Sequence, residues 1–264
     1  ERQRRRGARA RPRDADGLGR YVHLGTGNYN VVSSRIYTDL SYLTCDPVIG
    51  SDVSDLFNAL TGYSRKKSYE RLLVAPTTLR REMLNRIERE IHHQREHGGG
   101  YLSFKMNALV DKACIQALYR ASQAGVKVDL QVRGICCLRP GVRGVSENIT
   151  VRSVVGRFLE HARVYYFRNG GQHEVLLGSA DLMPRNLDAR VEVLFPVLHP
   201  QWRDIIMNEI LAVALQDNVQ ARELLQDGSY KRVRPAEGAP VMNSQEWLLT
   251  RWRSEPKKDA LLNK

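Results

Sequence analysis

A chain of 264 residues with a formal net charge of +12 and ordinary apolar and charged fractions is long enough to bury two modest cores and too apolar for a disordered protein. No apolar run approaches the roughly 18 residues that span a bilayer, the arginine-rich start has no apolar stretch behind it to make a signal peptide, and Cys45, Cys114, Cys136 and Cys137 show neither CxxC nor Cys/His ligand spacing, so reduced thiols in a cytoplasmic protein are expected. The positive excess points to a polyanion, whether a phosphate chain, nucleotide, nucleic acid or acidic membrane surface.

Residues 1–20 carry eight arginines against Glu1, Asp14 and Asp16 and almost no large apolar side chain, which predicts a disordered tail. Tyr21 to Leu24 reads as a strand, Asn30 to Thr38 as extended or turn, and Val53 to Thr61 as a helix stopped by Gly62. Residues 21–68 are too few for a domain of their own. From Tyr69 the pattern changes. Arg71 to Ala75 is a short apolar strand, Thr77 to His97 an amphipathic helix with Leu79, Met83, Ile87 and Ile91 on one side, Tyr101 to Met106 a strand, Asp111 to Gln123 a helix, and Val126 to Val132 a strand. This β-α-β-α-β run predicts a largely parallel sheet covered by helices. A loop over 133–148 follows, then a predicted helix over 153–160. Asn169-Gly170-Gly171 between Val164 to Phe167 and Glu174 to Leu177 is the strongest hairpin signal. Val191 to Pro196 reads as a strand, Pro200 to Leu225 as a long helix, and the polar end from Gly228 holds one short helix around Gln245 to Trp252.

Two turns of related composition follow predicted strands: Gly25-Thr26-Gly27-Asn28 after His23, and Gly178-Ser179-Ala180-Asp181 with Asn186 beyond it. Either is a plain turn or a place where free backbone N–H groups and absent side chains let a phosphate approach. A hairpin centred between Gly170 and Gly171 places His161 opposite Ala180, beside Ser179 and Asp181. An imidazole there attacks phosphorus or moves a proton; alternatively it caps the helix predicted to end at Glu160. Arg133, Arg139 and Arg143 lie in a glycine-rich loop beyond a buried strand, the usual ligand side of an open α/β sheet and a suitable rim for phosphate oxygens, or else an exposed basic loop. His92 and His93 read as surface residues, and Tyr37 as a core tyrosine or a base-stacking one.

Together these segments resemble the type-one polyphosphate kinases. The resemblance is carried by Tyr21-Val22-His23-Leu24-Gly25-Thr26-Gly27-Asn28-Tyr29-Asn30, Arg35 to Leu40, Leu72 to Pro76, Lys105 to Asp111, Ala121 to Val126, Val132 to Gly141, Gly156 to Val164 and Gly178 to Asp188, in order from Tyr21 to Pro240. It implies an α/β, phospholipase-D-like fold: a mixed, largely parallel sheet flanked by helices, plus an incomplete N-terminal half-domain. The expected units are 1–20 as tail, 21–68 as the end of a first catalytic domain, 69–240 as a second, and 241–264 as a C-terminal tail. It implies reversible transfer of the terminal phosphate of ATP to polyphosphate through a phosphohistidine. By position, Tyr37, Arg133 and His161 match ATP contacts, and His161 and His23 match catalytic histidines. The phosphorylated histidine of the family lies upstream in a His-x-Lys strand paired with the one before Gly-Thr-Gly-Asn, and no histidine precedes His23 here. The chain is therefore expected to be the C-terminal portion of such an enzyme and inactive alone. The resemblance further implies Mg2+ with ligands outside this chain, no metal site within it, ATP/ADP and polyphosphate as partners, and a homo-oligomer at full length. Peripheral membrane association stays open; nucleic acid is not expected, since no aromatic-rich basic stripe supports it. The alternatives are a non-catalytic ATP/polyphosphate-binding module and a phospholipase-D-like phosphodiesterase.

Overall fold

A computed structural model describes residues 7–10, 13–14, 17–18, 20–63, 66 and 68–253. The chain opens with β1 (Gly7–Ala10), β2 (Arg13–Asp14), β3 (Gly17–Leu18) and β4 (Tyr21–Gly25). β2 and β3 pair with each other, and β1 runs antiparallel to β4 with Ala8 opposite His23. These first three strands lie where a disordered tail is expected; the other residues before Arg20 lie outside the described residues. Asn30 accepts from the Val32 and Ser33 N–H groups and so caps a single helical turn, α1 (Val31–Ser34). After β5 (Tyr37–Thr38), β6 (Ser41–Thr44) returns along β4. α2 (Pro47–Leu60) starts six residues before the predicted helix because Asp46 caps it and Pro47 suits its first turn. The buried Asp52 carboxylate on α2 accepts from the N–H groups of Glu70, Arg71 and Leu72, at 3.1, 2.6 and 3.0 Å, and so fixes the connection into the next part of the chain.

That part contains β7 (Leu73–Ala75), α3 (Leu79–His97), β8 (Tyr101–Met106), α4 (Lys112–Gln123), β9 (Lys127–Val132), β10 (Ile149–Val154), β11 (Leu159–Glu160), β12 (Arg163–Phe167) and β13 (Glu174–Gly178). α5 (Pro184–Asp188), β14 (Glu192–Pro196), α6 (Pro200–Ile205), α7 (Ala212–Leu215), β15 (Ala221–Leu224), β16 (Tyr230–Arg232) and α8 (Ser244–Arg253) complete it. Nine strands form one mixed sheet in the order β16-β15-β10-β9-β8-β12-β13-β14-β7. Its parallel pairing is confined to β8, β9 and β10, and the remaining neighbours are antiparallel. The parallel share is thus smaller than the β-α-β pattern suggests, because the later strands are joined by hairpins and short turns instead of helical crossovers.

Two apolar clusters cover the two faces of this sheet. On one, Leu79, Met83 and Ile87 of α3 and Ala117, Leu118 and Ala121 of α4 pack on Phe104, Leu130 and Tyr165. On the other, Val22 and Leu24 of β4 and Ile49 and Val53 of α2 pack on Val164, Val175, Leu177 and Phe195. The small sheet β1-β4-β6 therefore lies over the large one.

Two predicted helices need correction. Residues 153–160 are not helical: Ser153 and Val154 finish β10, and Leu159 and Glu160 form β11. β-branched Val151 and Val154 favour the strand, which pairs with both β9 and β15. The long helix from Pro200 passes through a π-helical turn over Ile206–Leu211 and stops at Leu215, and Ala221–Leu224 is strand. Asp217 stops it: its carboxylate accepts from the N–H groups of Val219, Gln220 and Ala221. The hairpin obeys the expected register, with Arg163 opposite Gly178 and Phe167 opposite Glu174, around a 3-10 turn over Asn169–Gly171.

Candidate functional site

The site is built where a short strand from the first part of the chain pairs with one from the second. β11 pairs in parallel with β5, with Leu159 opposite Tyr37 and Glu160 opposite Thr38, and the His161 N–H donates to the Thr38 carbonyl at 2.9 Å. This ribbon carries three site residues together. The Tyr37 ring stacks on the His161 imidazole, with centroids 4.5 Å apart and planes 13° from parallel. Asp39, just past β5, places both carboxylate oxygens 3.1 and 3.2 Å from His161 Nδ1. That carboxylate is itself held by the Thr26 hydroxyl at 2.7 Å, and Gly27 lies so close to it that a Cβ would meet the carboxylate atoms. The Gly-Thr-Gly-Asn turn thus seats an aspartate across from the second half's histidine.

On its other side His161 meets cations. Arg163 Nη1 lies 2.9 Å from His161 Nε2 and donates to the His161 carbonyl at 2.7 Å. A carboxylate on Nδ1 and a guanidinium on Nε2 suit the tautomer with Nδ1–H donating to Asp39 and the Nε2 lone pair accepting from Arg163. Asp181 grips Arg163 at 3.2 and 2.8 Å and also accepts from the Asn107 and Ala108 N–H groups. The Asn107 side-chain oxygen accepts from Arg133 Nε and Nη2 at 3.0 and 2.8 Å. Burial, and next the nearby Arg163 charge, hold the Arg133 guanidinium below its ordinary pKa, against the opposite pull of Asp181, Tyr37 and Glu160. A cation kept from water beside another cation gains when an anion arrives.

The structure therefore brings Tyr37, His161 and Arg133 into one network. It links His161 to Asp181 through Arg163, while the Ser179 hydroxyl donates to Glu192. His161 caps no helix, since none ends at Glu160. His23 lies on β4, where its Nδ1 meets the Tyr29 hydroxyl, and its tie to the network runs through the adjoining turn. Arg139 and Arg143 are exposed on a loop pinned by Tyr119 and Ser146. Asp39, Asn107 and Arg163 were not singled out from the sequence as site residues; their partners lie 122, 26 and 18 residues away in the chain for the Asp39–His161, Asn107–Arg133 and Arg163–Asp181 pairs. The signal that could have found Asp39 is its place directly after Tyr37-Thr38.

A concavity of about 760 Å3 touches Asp39 and Glu160 but is lined mainly by apolar groups such as Leu43, Trp202, Ile206, Leu249 and Trp252, so it does not suit phosphate. Among the described residues no group of three or more His, Cys, Asp or Glu could hold a metal ion. The two carboxylates of this network are engaged, Asp39 by His161 and Thr26, Asp181 by Arg163 and two N–H groups. These residues do not fit a magnesium site. Among the described residues no helix is long and apolar enough to cross a membrane.

Two family models account for almost the whole chain: polyphosphate kinase C-terminal domain 1 matches residues 9–66 and polyphosphate kinase C-terminal domain 2 matches residues 72–245. The chain belongs to the polyphosphate kinase family. It is 56% identical over 237 residues to the polyphosphate kinase of Prosthecochloris aestuarii, covering 90% of this chain and 33% of that protein. It is 54% identical over 246 residues to polyphosphate kinase 1 of Chlorobaculum tepidum, covering 93% of this chain and 35% of the relative. The crystal structure of polyphosphate kinase from Porphyromonas gingivalis superposes with a TM-score of 0.83 at 39% identity, over 89% of this chain and 36% of that one. A phosphatidylserine synthase from Haemophilus influenzae, 10% identical with a TM-score of 0.51 over 89% of this chain and 68% of its own, shares the fold. The chain spans about a third of the length of the polyphosphate kinases it matches.

Proposed function

We propose that this chain carries the nucleotide-phosphate side of an ATP:polyphosphate phosphotransferase, with ATP/ADP and polyphosphate as substrates. The observation that carries the reading is one imidazole fixed between Asp39 and Arg163, stacked on Tyr37, with the half-buried Arg133 joined to it through Asn107 and Asp181. Phosphoryl transfer asks a protein mainly to position the reactants and neutralise charge. Arg133 and His161 hold the phosphates of the nucleotide, and Tyr37 contacts it. In the forward direction the bond from the terminal phosphorus to the ADP oxygen breaks as a P–N bond forms to a histidine from another segment, giving a phosphohistidine and free ADP. A polyphosphate oxygen then attacks that phosphorus, and the P–N bond breaks to return the histidine. His161, with Nδ1–H on Asp39, accepts or returns a proton at Nε2 once the phosphates draw Arg163 away; His23 assists from β4, through the turn that follows it.

Arg133→Ala tests the reading. Loss of a partly buried charged contact should weaken ATP binding by about 2–5 kcal/mol, measured by titration calorimetry on this chain. Unchanged affinity removes Arg133 from the role. A second reading, binding without transfer, is favoured by one observation: the strand paired with β4 reads Gly7-Ala8-Arg9-Ala10, with alanine opposite His23. Incubation with labelled ATP and magnesium, with and without the remainder of a full-length relative, separates the two. The chain by itself should form no acid-labile phosphoenzyme yet should retain ATP under both readings, and only the transfer reading has a phosphoenzyme appear once the missing segment is supplied.

A further inference from the structure

The ribbon that seats His161 has a third support, and it comes from the far end of the chain. Gln245, in the first turn of α8 and 5% exposed, turns its side-chain amide onto the segment leading into His161. Its Oε1 accepts from the Phe158 N–H at 2.9 Å and its Nε2 donates to the Phe158 carbonyl at 2.9 Å, so it pairs with that residue as a neighbouring strand would. The same Nε2 donates to Glu160 Oε1 at 2.9 Å, while the other Glu160 oxygen pairs with Lys105. Gly156 makes room: a Cβ there would stand 2.6 Å from Gln245 Oε1. α8 is in turn fixed at its start, where Ser244 donates its N–H and its hydroxyl to Asp217 at 2.8 and 2.7 Å, and farther on by Arg251 against Glu209 at 2.9 Å.

Glu160 sits opposite Thr38 in the ribbon and adjoins His161, whose N–H is bound to Thr38. A shift of Phe158–Glu160 therefore moves the imidazole relative to both Tyr37 and Asp39. We propose that Gln245 is a positioning residue for His161: by pairing with Phe158 and Glu160 it sets the height of the ribbon, and so keeps Nδ1–H on the Asp39 carboxylate. The proposal rests on the reading of His161 given above only for its catalytic meaning; its geometric content stands apart.

The test is the imidazole tautomer of His161, read from the ring nitrogens by long-range 1H–15N correlation on the labelled full chain, with the other six histidines as internal controls. The wild type should show one Nδ1-protonated form at His161. Gln245→Met keeps the volume and removes all three hydrogen bonds, and should give a mixture of tautomers at His161 with the other imidazoles unmoved. If Gln245→Met yields no folded chain, Gln245→Glu carries the same test, since it keeps the bond from the Phe158 N–H and loses the two donated ones. His161 signals that overlay on the wild type in a folded variant overturn the proposal, as does a change spread equally over all seven rings. ATP titration of the wild type is run alongside: absent binding there sinks the nucleotide reading and leaves the tautomer result to judge Gln245 on its own.

Discussion

Lys105 and Glu160 form an ion pair one residue from His161, each side chain only 12% exposed. Burial alone would raise the Glu160 carboxyl, but the Lys105 charge and the hydrogen bonds from Lys105 and Gln245 outweigh it and hold the group below its ordinary value. A carboxyl depressed in the folded state adds stability that is present above its unfolded pKa and drains away as pH falls through the folded one. Lys105→Met should therefore cost about 3–5 kcal/mol in neutral buffer, because it leaves a buried carboxylate without its cation. The loss should shrink in acid, where Glu160 takes up a proton. Urea unfolding of both chains in neutral and acidic buffer measures it. Equal losses at both values would show that the pair is not the source. At this scale the sequence was partly legible. Arg133 and His161 sit in segments whose composition suggests phosphate chemistry. Asp39 and Asn107 lie in segments that resemble the family, but their roles are not legible there, since an aspartate after a short strand and an asparagine after a longer one are ordinary until the fold brings their partners across.

Elements explain both what was readable and what was not. β8, α4, β9 and the β12–β13 hairpin appear close to their predicted limits because period, capping and turn residues agree there. The Asn169-Gly170-Gly171 turn even fixes the expected register, which pairs Arg163 with Gly178 at the open end of the hairpin, two residues past His161. β11 escapes such reading. It is two residues long, and its partner β5 lies across more than 100 residues of chain, so only tertiary structure makes it a strand. The end of α7 turns on Asp217, fully buried, which gathers three N–H groups from Val219 to Ala221 and two donors from Ser244. Burial pushes its carboxyl up, but these bonds prevail and hold it below the ordinary value. Asp217→Ala leaves several of these donors unpaired in the interior and should destabilise the chain by more than about 3 kcal/mol. The loss of α8 protection should precede global unfolding in hydrogen exchange. If α8 amides exchange as slowly as in the wild type, Asp217 does not anchor it.

Over the whole molecule the decisive fact is that both faces of the nine-stranded sheet are covered, one by α3 and α4 and the other by the small sheet with α2. A chain starting at Tyr69 would uncover Val164, Val175, Leu177 and Phe195, each at most 2% exposed in the 264-residue chain. Such a truncation should bind the dye ANS and associate more than the 264-residue chain, as read by fluorescence and light scattering. A dye-silent monomer would mean that the second half folds without the first. Order and family were visible from motifs strung along the chain, but this layering was not, because alternation within a strand does not say which distant segment will lie upon it.

The β5–β11 ribbon has a consequence for inheritance. Each half contributes one strand to it, and the imidazole of one half finds its carboxylate on the other. A recombination that exchanged either half for a foreign one would have to match a two-residue seam as well as an apolar face. Drift at Tyr37 to Asp39 is thereby coupled to drift at Phe158 to His161, although more than a hundred codons separate them.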